Sequence, residues 1–146
     1  MTEERLSGPA HAGADPAAKH SEAAAISRGI VQLMHGYTGR GPTKARTTVN
    51  TNLVAVVLGE TLTRGEANLV QSGQRDAVLS MRRTYHDAIR AEASELVEEI
   101  MGRTVTSTLA DIDLEADVAA LLFILEAQPE SGLAETAETS SPEPPE

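Results

Sequence analysis

The sequence predicts a small α+β domain with the element order α-β-β-α-α-β-β. Apolar residues recur at helical spacing in two segments, and segments of strand length rich in Val, Thr and Leu occur in two pairs. Residues that favour turns separate the members of each strand pair. We therefore expect two β-hairpins in one sheet packed against a long amphipathic helix, and a chain of 146 residues has room for one such core.

The first predicted helix begins at Ser21, whose hydroxyl is suited to cap the first backbone amides. Its apolar positions repeat at the spacing of one helix face: Ile26, Ile30, Leu33, Met34 and Tyr37. Gly36 marks the expected end of this helix, at that residue or soon after, because glycine is common just past helix ends.

Two short segments in the middle of the chain predict a β-hairpin. Ala45–Val49 and Leu53–Leu58 are rich in β-branched residues, and Asn50-Thr51-Asn52 lies between them. Asparagine tolerates the left-handed backbone conformation that tight hairpin turns use. These residues therefore predict the first antiparallel strand pair.

Two helices are predicted next. Thr63 and Glu66 match a capping box, in which each side chain bonds the other residue's backbone amide, so a short helix should start there and end by Gly73. Residues 74–101 then predict an amphipathic helix of about 28 residues that Gly102 ends. The predicted apolar face of this helix consists of Val78, Met81, Tyr85, Ile89, Ala93, Leu96 and Ile100.

The last two strands are predicted at Arg103–Ile112 and Val118–Glu126, which form a second hairpin. Val118–Leu125 is apolar at every position, so both faces of that strand should be covered and the strand should lie centrally or in an interface. A helix is the competing interpretation, because alanine and leucine favour helices. The short length of the run and the flanking Asp and Pro favour a strand.

The two ends of the chain differ in composition from the middle. Residues 1–20 and 128–146 are rich in small residues, proline and charged residues and contain few apolar side chains. Too little apolar surface is available there to offset the entropy of ordering, so we expect both ends to be disordered. The predicted domain therefore spans residues 21–127, and an acidic tail follows it.

Charge and composition exclude several functional classes. The formal net charge of -10 is unsuited to general nucleic-acid binding, which needs an excess of Lys and Arg. The absence of cysteine excludes a disulfide framework, a thiolate metal site and a cysteine nucleophile. No segment has the apolar length of a membrane span or a secretory signal, so direct membrane insertion is not expected and the predicted location is the cytoplasm.

One segment, Gly36–Arg46, concentrates glycines, a proline, a tyrosine and three cations, and we call it the basic loop. Glycine permits positive φ and proline restricts the chain, so a turn of defined shape is predicted. Its glycines follow the pattern GxxGxG after a helix, whereas dinucleotide sites have GxGxxG between strand and helix, and Lys44 does not follow a glycine as a P-loop lysine does. A structural turn with solvated charges is the favoured interpretation, and contact with an anion or a partner is the alternative. The candidate contact residues are Tyr37, Gly39, Arg40, Gly41, Pro42, Lys44 and Arg46.

The sequence predicts neither a metal site nor a cofactor. Asp111–Asp117 places acids at alternate positions as a calcium loop does, but Ala116 stands where that loop needs glycine and Leu122 where it needs a bidentate acid. His35 and His86 have no partners at metal-ligand spacing, so we interpret them as surface or packing residues.

Several short motifs, taken in order, resemble the MpsC-like family. They are Gly39-Arg40-Gly41-Pro42, Leu62-Thr63 followed by Glu66 and Leu69, Arg82 in the long helix, Gly102 before a Thr- and Val-rich strand, and Phe123-Ile124-Leu125. The resemblance covers residues 22–126. It implies a small bacterial protein associated with a sodium-translocating, membrane-potential-generating system for ion or bicarbonate transport, in which other subunits do the membrane-embedded work. It supplies no catalytic residues.

Arg82 is the candidate contact residue outside the basic loop, because it belongs to the pattern that resembles the family. At helical spacing, Arg82 and Arg83 could pair with Asp87 or bind an acidic partner. An exposed ion pair contributes only about 0 to 1 kcal/mol, so stability alone is a weak explanation for an arginine here. We therefore expect Arg82 to contact a ligand or partner.

The leading functional hypothesis is a non-enzymatic cytoplasmic accessory or regulatory subunit that reaches the inner face of the membrane through membrane transport subunits. The alternative is a ligand-sensing module that binds a phosphate-bearing or other anionic metabolite through the basic loop. An enzyme is least favoured, because no nucleophile, base and orienting group occur in a recognisable arrangement. A homodimer is also expected, because the long helix and Val118–Leu125 offer more apolar surface than one short helix and a four-stranded sheet can cover.

Overall fold

The computed structural model describes residues 16–127, and it confirms the predicted α+β class and the order of the elements. The helices are α1 Pro16–Thr38, α2 Arg64–Gln71 and α3 Arg75–Met101. The strands are β1 Lys44–Val49, β2 Leu53–Gly59, β3 Val105–Asp113 and β4 Val118–Leu125. The disorder predicted for residues 1–15 and for the acidic tail lies outside the described residues.

The first helix begins earlier than its sequence pattern indicates. It starts at Pro16, so the predictions of a cap at Ser21 and of disorder in residues 16–20 are wrong. Proline is tolerated in the first turn of a helix, where its missing amide would have had no intrahelical partner. The alanines that follow are the best helix formers, so this turn can form although it buries little.

Two antiparallel hairpins make one four-stranded sheet with the strand order β1-β2-β4-β3. The predicted pairing of β1 with β2 and of β3 with β4 is confirmed. The apolar run Val118–Leu125 is an inner strand, as expected, because β4 also pairs with β2. Strand β3 starts two residues later than predicted, at Val105, and Arg103 before it donates to the carbonyl oxygen of Thr51 in the β1–β2 turn.

Helices α1 and α3 lie side by side on one face of the sheet. The core combines residues of both helices with alternate residues of the two inner strands, and its largest apolar members include Ile26, Ile30, Met34, Leu58, Ile89, Leu121 and Phe123. At the helix contact, a side chain added at Gly29 would collide with Leu96, so the absence of a side chain there permits close approach. Residues that alternate with the core residues face the opposite side of the sheet.

The buried stripe of α3 differs from the predicted one. The buried residues are Val78, Arg82, His86, Ile89, Ala93 and Val97, whereas Met81 is 37% exposed. A hydrophobicity pattern assigns polar residues to the solvent side, but the first half of this helix faces α2 and the β2–α2 turn, where Arg82 finds polar partners. The apolar side of α3 is therefore used within the chain, against α1 and the sheet.

Adjacent leucines of β4 test this one-sided packing. Leu121 is 1% exposed and faces the helices, whereas Leu122 is half-buried on the opposite face. We expect Leu121→Ala to lower the free energy of unfolding by about 2 to 5 kcal/mol, because it leaves a cavity in the core. The matched change Leu122→Ala should cost less than half as much in the same urea titration. Equal losses would contradict a sheet covered by helices on one face.

Candidate functional site

The basic loop has a defined conformation that is folded back onto α1. Gly39 has φ +81° and ends the helix, with its amide donating to the carbonyl oxygen of His35 at 2.9 Å. A Cβ at Gly41 would lie 3.1 Å from both the side chain and the carbonyl oxygen of Val31, so the absence of a side chain lets the backbone pass this close to the helix without displacing its neighbours. Pro42 is buried. The loop therefore has the fixed shape that its glycines and proline predict.

Two cations of the loop converge on Glu60, the residue that follows β2. A guanidinium NH of Arg40 donates to the carbonyl oxygen of Glu60, and Lys44 Nζ lies 3.4 Å from Glu60 Oε2. The hydroxyl of Thr43 donates to the other carboxylate oxygen. The hydrogen bond from Thr43, and then the bond and charge of Lys44, lower the pKa of the Glu60 carboxyl. Glu60 thus anchors the basic loop to the end of β2.

Asp117 holds the turn that contains Glu60. Asp117 Oδ1 accepts hydrogen bonds from the Thr61 amide at 2.8 Å, the Thr61 hydroxyl at 3.1 Å and the Leu62 amide at 3.2 Å. Its own carbonyl oxygen accepts from the Glu60 amide at 3.1 Å. Both Glu60, with φ 59°, and Asp117, with φ 55°, have the left-handed backbone conformation that non-glycine residues seldom adopt. The bonds between the two turns stabilise this uncommon conformation.

A buried ion pair lies directly below this turn. The capping box is confirmed, with the Thr63 amide donating to Glu66 Oε1 at 2.8 Å and the Glu66 amide donating to Thr63 Oγ1 at 3.1 Å. Arg82 Nε donates to Glu66 Oε2 at 3.0 Å, and Arg82 Nη2 donates to the Thr61 carbonyl oxygen at 2.7 Å. We call Thr61, Thr63, Glu66, Arg82 and Asp117 the buried polar network. It joins α2, α3 and the turns after β2 and before β4.

Burial and hydrogen bonding change the pKa of the Glu66 carboxyl in opposite directions. Burial raises the pKa of its carboxyl, but the hydrogen bonds from Arg82 and from the Thr63 amide outweigh burial, so the net pKa is below the ordinary value. The carboxylate is therefore charged at neutral pH and pairs with a guanidinium that is 0% exposed. Such a pair is sensitive to the loss of one member, because the remaining charge has neither water nor a partner.

The structure corrects the expectation that Arg82 pairs with Asp87 or faces a partner. Asp87 pairs with Arg90 at 3.1 Å, and Arg83 pairs with Asp111 at 3.2 Å. Arg82 lies on the inner side of α3, and its partner Glu66 is on a different helix, where spacing within one helix gives no signal. Its contacts are internal, so it acts on the surface only through the turn that it supports.

The remaining candidates do not form one cluster. Tyr37, which is 39% exposed, donates its hydroxyl to Glu92 on α3 at 3.0 Å. Arg40 and Lys44 meet at Glu60. Arg46 is exposed on β1, and within residues 16–127 it has neither an ion pair nor a side-chain hydrogen bond. The basic loop thus divides into an anchored part near Glu60 and a free cation on the sheet.

His86, one turn after Arg82, is a buried polar residue that the sequence pattern did not place in the interior. It is 4% exposed, and neither ring nitrogen has a hydrogen-bond partner among the described residues. Burial, and then the charge of Arg82, lower the pKa of its imidazole, while Asp111 and Asp87 act in the opposite direction. The ring is therefore neutral at neutral pH and packs as part of the buried face of α3, in agreement with its interpretation as a packing residue.

Two further properties concern the part of the chain that the structure describes. Across residues 16–127, no group of three or more His, Asp or Glu side chains is placed to hold a metal ion. None of the three helices in this range combines the length and the apolar character needed to cross a membrane.

Comparison with protein families gives a match over the folded part of the chain. The family model described as Na⁺-translocating membrane potential-generating system (MpsC) matches residues 18–127, which is most of the chain and nearly all of the described structure. Comparison with curated proteins and with solved structures found no significant match. The matched range contains every residue of the buried polar network and the whole basic loop.

Neighbouring arginines of α3 test the buried ion pair. Arg82→Met should lower the free energy of unfolding by about 3 to 5 kcal/mol, because Glu66 would keep a buried charge without its partner. Arg83→Met is the matched control and should cost less than about 1 kcal/mol, since its pair with Asp111 is exposed. The double variant Glu66→Leu/Arg82→Met should recover part of the loss in the same urea titration. Similar losses for Arg82→Met and Arg83→Met would contradict this account.

His86 predicts a pH dependence of stability. Its pKa is lowered in the folded chain, so below the ordinary imidazole pKa of about 6.5 the unfolded chain binds a proton that the folded chain does not. Stability should therefore fall as the pH decreases through that value towards the lower pKa of the folded state. We expect the urea concentration at the unfolding midpoint to be lower at about pH 5.5 than at about pH 7.5. This difference should be smaller in His86→Leu.

The exposed His35 provides the control for this measurement. His35→Leu should retain the pH dependence of the unaltered chain. A pH dependence that is the same in His86→Leu as in the unaltered chain would show that other groups cause it.

Proposed function

The chain belongs to the MpsC family of the Na⁺-translocating membrane potential-generating system, and from this premise we propose that it is a non-enzymatic accessory or regulatory component of such a system. The match over residues 18–127 is the observation that carries the proposal. In this proposal the chain acts in the cytoplasm and reaches the inner face of the membrane by binding the membrane subunits of the system.

The role of the family motifs supports a docking function. The polar side chains of these motifs bond other parts of the same chain: Arg40 to Glu60, Thr63 to Glu66, and Arg82 to Glu66 and Thr61. Their common effect is to hold the turn after β2 and, through it, the basic loop. A loop that is already ordered loses little conformational entropy on binding, which is what a docking surface requires.

The exposed groups of the basic loop define the chemistry of the proposed contact. Lys44 has 73% of its side chain exposed, and Tyr37 is 39% exposed. An ammonium group and an amphipathic ring suit a polypeptide surface that bears carboxylates, because complementary charges steer association and aromatic rings contribute apolar area. We therefore assign the membrane subunits to this side of the molecule.

The alternative of an anionic-metabolite sensor has less support. The carboxylate of Glu60 lies beside Lys44, and one guanidinium N–H of Arg40 donates to the Glu60 carbonyl oxygen. A phosphate-bearing ligand needs several donors at one point, and at the anchored loop it would compete with Glu60 for Lys44 and for the bonded N–H of Arg40. A protein partner can add contacts around these existing ones without breaking them.

A genetic experiment in the source organism tests the proposal. Deletion of the gene should decrease the sodium-dependent part of the membrane potential, measured with a potential-sensitive dye with and without Na⁺, and the unaltered gene should restore it. The variant Arg40→Ala/Lys44→Ala should restore it poorly while the purified protein keeps its overall fold, because the contacts of both cations with Glu60 lie at the surface and contribute little to stability.

The charge-matched variant Lys19→Ala/Arg28→Ala, which removes two cations of α1, is the control and should restore the potential fully. A deletion that leaves the sodium-dependent potential unchanged would contradict the proposed function. Full restoration by Arg40→Ala/Lys44→Ala would contradict the assignment of the docking surface.

A further inference from the structure

One face of the sheet is apolar and open in the described chain. Helices α1 and α3 cover the other face, and within residues 16–127 nothing packs over this one. Three of the six large apolar side chains that are exposed in this range lie here: Val57, Leu109 and Val118. The half-buried side chains between them are Leu53, Ala55, Ala120, Leu122 and Ile124. We call these residues the open face. Contiguous exposed apolar surface of this kind commonly marks an interface.

The two edges of the open face carry opposite charges. Strand β1 presents Lys44 and Arg46 at one edge, and strand β3 presents Asp111 and Asp113 at the other, with all four residues exposed. The strand register aligns them in rows across the sheet. One row is Lys44, Gly59, Val118, Asp113, and the next is Arg46, Val57, Ala120, Asp111. Each row is therefore basic at one end, neutral in the middle and acidic at the other end.

This pattern is complementary to itself under one rotation. A two-fold axis that lies in the interface, parallel to the strands and between β2 and β4, brings the β1 edge of one copy over the β3 edge of the other. It keeps each row over its own counterpart, so Arg46 meets Asp111 of a second copy and Lys44 meets Asp113. The apolar middle of each row covers the apolar middle of the other. From this geometry we propose that the open face is the interface of a homodimer.

The charges also favour this arrangement over the other two-fold arrangement of the same faces. An axis perpendicular to the strands would place β1 over β1 and β3 over β3 and would reverse the order of the rows, so no basic edge would cover an acidic edge and the four charges would gain no partner. Within one chain, Arg83 neutralises Asp111 in part and Glu60 neutralises Lys44 in part. Arg46 has no ion pair within residues 16–127, and the second copy supplies one.

The dimensions of the open face indicate the strength of the dimer. Four strands at a spacing of about 4.8 Å and about seven residues at about 3.3 Å give a face of roughly 19 Å by 23 Å. This planar area of roughly 440 Å² is smaller than the roughly 800 Å² per partner of a standard interface, so we expect dissociation in the micromolar range. The alternative of pairing through α3 has less support, because the apolar side of α3 packs within the chain.

Sedimentation equilibrium of the full chain from about 1 to about 500 µM tests the proposal, with a monomer–dimer transition expected in that range. Leu109→Asp, on the β3 edge of the open face, should raise the dissociation constant at least about tenfold, because it replaces an apolar side chain by a charge in the row that Leu109 shares with Leu122 and Ala55. Met81→Asp is the matched control, since Met81 is exposed on α3, and it should leave the dissociation constant unchanged.

A pair of charge reversals tests the orientation. Arg46→Glu makes both edges of its row acidic, and Asp111→Arg makes both edges basic. Each variant alone should dimerise at least about tenfold more weakly, because like charges then oppose each other. An equal mixture of the two should form a heterodimer of restored affinity, since each acidic edge then covers a basic one. Circular dichroism of each variant establishes that it is folded.

Three outcomes would overturn the proposal. The first is a monomer at every concentration. The open face would then be covered by residues outside 16–127 or by a different protein. The second is a dimer that Leu109→Asp does not weaken, and the third is a mixture of charge variants that does not associate. All three outcomes are measured on the purified protein, and none changes whether deletion of the gene decreases the sodium-dependent potential, so the dimer and the proposed function fail separately.

Discussion

The buried ion pair between Glu66 and Arg82 is the constraint on which the arrangement around the candidate site depends. A guanidinium that is 0% exposed needs partners for its donors, and Glu66 and the Thr61 carbonyl oxygen supply them. Because an unpaired charge at this depth would cost several kcal/mol, α2 and the turn before it have one favourable position against α3. The capping box adds to this, since the same Glu66 carboxylate also accepts from the Thr63 amide.

The buried ion pair influences the exposed basic loop through the turn that follows β2. Arg82 donates to the Thr61 carbonyl oxygen, and the Thr61 amide donates to Asp117. The preceding residue, Glu60, anchors the basic loop. Residues that lie far apart in the sequence thus combine to fix the conformation of one exposed segment. In this chain the polar side chains of these motifs therefore position a surface, which is what the proposed docking role requires.

The sheet gives the molecule two surfaces with different roles. Its helix-covered face holds the core, and the opposite face retains an apolar middle between a basic and an acidic edge. Antiparallel sheets can leave one face uncovered because successive side chains alternate between faces, so a strand such as β4 places Leu121 in the core and Leu122 on the open face. The basic loop and the open face meet at β1, where Lys44 belongs to both.

The sequence by itself determined the features whose signals are local. Capping by Thr63 and Glu66 needs residues three apart, each hairpin needs neighbouring strands, and the all-apolar β4 indicated an inner strand. The start of α1 was missed because alanine favours a helix without an apolar face. Only the tertiary structure decided the contacts between distant segments. Arg82 pairs with Glu66, which lies on another helix. The charges of β1 and β3 lie in common rows because of the strand order, which the sequence does not show. Pairing between distant segments depends on the packing of the whole chain, and periodicity along the chain carries no information about it.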